Sequence, residues 1–174
     1  MELINQSNHI FTSILSIIEQ ISESEYSEVQ KLLGEGSISK HIRHILEFYQ
    51  ELLLGFERGI INYDSRKRSM KLETDLSFVK EFIELLAIEI QKIEQDKEIM
   101  IQVSENTENG FIELRSTVFR EISYCNEHAV HHLAILQLVF RNVMPTLNLP
   151  EAFGVSIATQ IFDKSRTRGI IVND

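Results

Sequence analysis

The chain has 174 residues, 43% hydrophobic and 8% aromatic, enough for one domain with a sizeable core. Its formal charge of -9, from 26 acidic against 17 basic residues, argues against a broad nucleic-acid surface. One cysteine, Cys125, excludes an internal disulfide framework, no apolar run approaches the about 18 residues of a membrane span, and the N-terminus lacks the marks of a signal peptide, so a soluble cytoplasmic protein is expected.

Two prolines and seven glycines suit a helical protein. The first helix spans residues 4 to 21, with Ile4, Phe11, Ile14, Leu15, Ile18 and Ile21 at helical period. Ser22 to Tyr26 reads as a break, and Tyr26 to Leu33 as a short helix or extended loop. A second helix opens after Gly36 with Ser37 as its N-cap. Ile38, Ile42, Ile45, Tyr49, Leu52, Leu53 and Phe56 form its apolar stripe, and it carries His41 and His44. The stripe places His41 nearer the core than His44.

Residues 59 to 75 form a polar connection, and Thr74 or Asp75 caps a third helix running to about Asp96. Phe78, Phe82, Leu85, Leu86, Ile90 and Ile93 are its expected inward face. From Ile99 to Leu114 the period changes to two, with Ile99, Ile101 and Val103 opposite Phe111 and Glu113 across Asn109-Gly110. That dipeptide is a hairpin-turn signal, so a short β-hairpin or an irregular flap is expected here. Ser116 or Thr117 caps the last long helix, and residues 146 to 174 form a tail. Its apolar residues Phe153, Val155, Ile157, Ile161 and Phe162 predict docking, across the chain's own helices or onto a second copy in a homodimer. Four helices with one apolar face each bury those faces against one another. The expected fold is therefore all-α, a four-helix bundle with a crossover connection, over residues 1–174 as one domain.

The last long helix carries the chemistry. Ile122, Cys125, Ala129, Leu133, Leu136 and Phe140 centre on one face when plotted at about 100° per residue. His132 falls roughly 30° from that centre, His128 roughly 70°, and His131 roughly 130°, towards water. His128 and His132 are four apart, so their rings lie one turn apart on one side. An inward histidine is ordinarily a core residue bonded to a neighbour. A pair at this spacing is also a bidentate metal clamp, because burying two unpaired polar rings is costly.

Residues 37 to 49, Ser-Ile-Ser-Lys-His-Ile-Arg-His-Ile-Leu-Glu-Phe-Tyr, and 126 to 134, Asn-Glu-His-Ala-Val-His-His-Leu-Ala, resemble the DinB-like family of metal-binding four-helix bundles. The resemblance covers almost the whole chain and implies three metal-binding histidines. One lies on the second helix before an apolar pair and an acidic residue, here His44 before Ile45, Leu46 and Glu47. The others form a His-x-x-x-His pair, here His128 and His132. The resemblance thus prefers His44 where periodicity prefers His41.

Three imidazoles suit Zn²⁺, Ni²⁺ or a similar divalent ion and leave a position open, the pattern of a catalytic rather than a structural site. Glu47 and Glu127 are the nearest candidates for proton transfer or ligand support; the plainer reading of both is a solvated carboxylate. Asn62, Tyr63, Asp64, Arg66, Arg68 and Glu73 in the connection suggest either an anion site or a salt-bridged loop, the latter preferred. The resemblance implies a metal-dependent transferase or hydrolase acting on a small molecule, with a low-molecular-weight thiol as partner. The alternative is a non-catalytic metal-binding stress protein or a helical interaction domain.

Overall fold

The computed structural model describes residues 1–106 and 110–167. Four long helices carry most of the core: α1 (Glu2–Ile18), α3 (Ile38–Arg58), α5 (Leu76–Gln91) and α6 (Val118–Val143). Each of α1 and α3 packs on both α5 and α6. Between them lie the short helices α2 (Glu23–Ser27) and α4 (Lys71–Thr74), and α7 (Ile157–Thr167) follows α6. No helix among the described residues is long and apolar enough to cross a membrane.

Helix starts follow the side chains able to satisfy free backbone N–H groups. Ser37 accepts from the Lys40 amide, Asp75 from that of Phe78, and Thr117 from that of Arg120, opening α3, α5 and α6. Ser22 and Glu25 form a reciprocal capping box, so the expected break holds a five-residue helix, α2. The α5 stripe is rotated from the expected one. Val79 and Ile83 are buried while Leu85 is exposed, and Phe78 and Phe82 stack on each other at the edge.

The all-α expectation is corrected by a three-stranded mixed sheet. The hairpin is present as β2 (Glu98–Ser104) and β3 (Phe111–Thr117), antiparallel, with Val103 opposite Ile112 and Gln102 opposite Glu113. Its Asn109 turn position lies outside the described residues. The third strand, β1 (Ile60–Ile61), pairs parallel with Met100 and Ile101 of β2. It sits inside the stretch expected to be a polar connection. Gly59, at φ 80, closes α3 in the left-handed conformation and turns the chain into β1. Two residues are too few to show alternation, so the strand exists through pairing with β2 rather than through local pattern.

The core is one continuous cluster joined by a polar hub at Asn126 on α6. Ser7 of α1 and Tyr49 of α3 each donate to Asn126 Oδ1 at 2.7 Å, while its Nδ2 donates to the Leu3 carbonyl at 3.0 Å. These bonds fix α1 and α3 on α6. The tail docks on the chain's own helices through buried Phe153, whose carbonyl accepts from Gln137 at 2.6 Å. Ile161 and Phe162 of α7 remain exposed.

Candidate metal centre

Packing of α3 on α6 brings two histidine-bearing faces together. His44 Nε2 lies 2.7 Å from His128 Nε2, which lies 3.2 Å from His132 Nε2. One nitrogen of each ring falls within 4.8 Å of the others, so His44, His128 and His132 form a group able to hold a metal ion. All three are half-buried.

The donor set fits such an ion. Three nitrogens around a tetrahedral centre with bonds of about 2.1 Å stand roughly 3.4 Å apart. The 3.2 Å separation matches, and the 2.7 Å one needs a shift of His44 by a fraction of an ångström. Shared protons satisfy such a cluster only by pairs, whereas one cation satisfies all three lone pairs together.

Burial keeps the rings neutral, the form a metal requires. Desolvation pushes the His44 pKa down to about 3, with Arg66 adding to the effect. His132 is also lowered to about 3 by desolvation, and then by His128 and His41. Desolvation lowers His128 and His41 as well.

His41 does not join the group. Its Nδ1 lies 2.9 Å from Nδ1 of His132, the nitrogen of that ring facing away from the other two. His41 is therefore placed to orient His132. His131 is exposed and meets the edge of the His132 ring.

The two candidate carboxylates separate. Glu47 is fully buried. Its Oε1 accepts from the Ser69 amide at 2.8 Å, Arg43 Nε stands 3.5 Å from Oε1, and Arg66 Nε 3.3 Å from Oε2. Arg43 also pairs with Glu73. Two cations and two anions thus tie residues 66–73 to α3, which makes the connection a salt-bridged strap. Glu127 is exposed and lines a different groove of about 160 Å³ with His9, between α1 and α6.

Sequence reasoning missed the aromatic wall. Phe48 stacks on His128 at 4.2 Å and on Tyr63 at 4.8 Å, and Tyr124 lies 5.8 Å from His128. Tyr124 precedes His128 by one turn, a spacing that could have identified it; Tyr63 comes from the strap and gives no such signal. Tyr63 donates to Glu121 at 2.9 Å, and Glu121, fully buried, also accepts from Ser116 and Arg120. Burial pushes the neighbouring Cys125 thiol up to about 12. It therefore packs as an apolar group. Beside this wall a cavity of about 330 Å³ opens between the hairpin and α6, lined by Tyr63, Ile101, Leu114, Arg120, Glu121 and Tyr124.

No family model matches the chain. A curated protein named FK506-binding protein 5, from Rhizopus delemar, is 30% identical over 108 residues, 58% of this chain. The chain spans only 26% of that relative's length.

Proposed function

We propose that this protein is a metal-dependent enzyme of the DinB-like kind, with one divalent transition ion, zinc or nickel, held by His44, His128 and His132. The observation that carries this reading is the convergence of three Nε2 atoms from two packed helices. Zinc and nickel suit neutral imidazoles, and three protein donors leave a coordination position open. Bound there, such an ion supplies Lewis acidity that brings the pKa of a water or thiol ligand towards neutrality. The substrate is a small molecule, and the reaction a thiol transfer or a hydrolysis. Phe48 and Tyr124 stack beside His128, while Tyr63 and Tyr124 supply the aromatic lining of the adjacent cavity.

One observation favours a second reading, in which the ion only staples α3 to α6. Glu47 is engaged by two arginines and a backbone amide, and Glu127 lies on another groove. Neither is a free base at the histidine group. The two readings part at the open position. In the Co²⁺-substituted protein, azide or a small thiol is expected to shift the visible spectrum saturably, with His131→Ala leaving the shift intact. A spectrum indifferent to every added ligand would mean a filled coordination sphere and end the enzyme reading.

A further inference from the structure

If the metal reading holds, and only then, His44 faces a conflict. Arg66 Nη2 donates to His44 Nδ1 at 2.7 Å. A guanidinium carries only donors, so this bond requires a lone pair on Nδ1. A neutral imidazole has one proton, which must then sit on Nε2, the atom 2.7 Å from His128. An ion at the centre needs the reverse, a lone pair on Nε2 and the proton on Nδ1. That proton would face the Arg66 N–H, donor against donor.

His132 shows the contrast. Its outer nitrogen meets His41 Nδ1, which is able to accept a proton-bearing partner. Metal-binding histidines ordinarily donate their outer N–H to an acceptor such as a carboxylate. A carboxylate, Glu47, follows His44 by three residues on the same side of α3. Its Oε2 is buried without a hydrogen bond, with Arg66 Nε 3.3 Å away. Arg66 therefore stands on both groups that a loaded His44 would bring together.

We propose, on the strength of that metal reading, that Arg66 is a latch that opposes metal loading: its bond to His44 Nδ1 is incompatible with an ion on Nε2, so an incoming ion displaces it, leaving Glu47 to accept the His44 Nδ1 proton. The displacement reaches further than one side chain. Arg66 Nη1 donates to the Tyr63 carbonyl at 2.9 Å, and its guanidinium lies 5.1 Å from the Phe48 ring centroid. Release of Arg66 loosens the strap whose Tyr63 lines the 330 Å³ cavity, so occupancy of the centre is transmitted to the proposed substrate wall.

The test uses the full chain stripped of metal and titrated with Zn²⁺ against a chromophoric chelator. Arg66→Met keeps the apolar stem and removes every donor, and it is expected to bind Zn²⁺ tighter than the wild type by about tenfold or more. In wild-type protein, Zn²⁺ is expected to accelerate tryptic cleavage after Arg66, Lys67 or Arg68. Equal or weaker binding by Arg66→Met overturns the latch while leaving the metal centre standing. If that variant does not fold, cleavage unchanged or slowed by Zn²⁺ in the wild type overturns it instead. Failure of both proteins to bind Zn²⁺ overturns the metal centre and the latch together.

Discussion

Neutral imidazoles held at low pKa inside the fold make the histidine group a source of acid sensitivity. In the unfolded chain each ring titrates near 6.5; folded, His44 and His132 are held near 3 by burial and neighbouring cations. Above 6.5 neither state binds these protons and the rings add no pH dependence. As pH falls below 6.5 the unfolded chain takes up protons that the folded chain refuses, so stability is lost towards the folded pKa. We expect metal-free wild type to lose stability more steeply as pH falls from about 6.5 towards 3 than the His44→Gln/His132→Gln double variant, by urea unfolding. Parallel curves would show that these rings are not held neutral by the fold. At this scale the sequence carried the pair on α6, because i and i+4 define one side of a helix whatever the surroundings. It did not carry the choice on α3. The stripe there is set by Ile38, Ile42, Ile45 and Leu52, all buried, whereas His44 sits half-buried at the edge where α6 approaches. Only the resemblance selected it.

The helix starts at Ser37, Asp75 and Thr117 and the hairpin were legible because their determinants are local, a capping side chain or a change of period, whereas α1 ends at Ile18 rather than Ile21 and α5 at Gln91 rather than about Asp96. The β1 strand and the docking of the tail were not, because both depend on what they touch. Gly154 shows how close that docking is. It adopts φ 68, and a Cβ there would lie 2.6 Å from the Ala134 amide nitrogen and 2.7 Å from its Cα, in backbone that cannot yield. Gly154→Ala should therefore lift Phe153 from its buried site and destabilise the chain by about 1–3 kcal/mol, read as a lower urea midpoint. An unchanged midpoint would mean that the tail contributes nothing to the fold.

Across the whole molecule, the histidine group lies where α3 and α6, separated by the sheet and α5 in sequence, meet face to face. The Asn126 hub, the Arg66 strap and the Phe48 wall all converge on that same contact. An ion bound there would join two helices from distant parts of the chain and so stabilise the fold by mass action. The direct measurement is the stoichiometry of Zn²⁺ taken up by the metal-stripped full chain. We expect one ion per chain, none in the His128→Ala/His132→Ala variant, an affinity lowered by orders of magnitude in His44→Ala, and little change in His41→Ala. A wild-type chain that takes up no ion, or a double variant that still takes up one, would contradict a metal centre built from His44, His128 and His132.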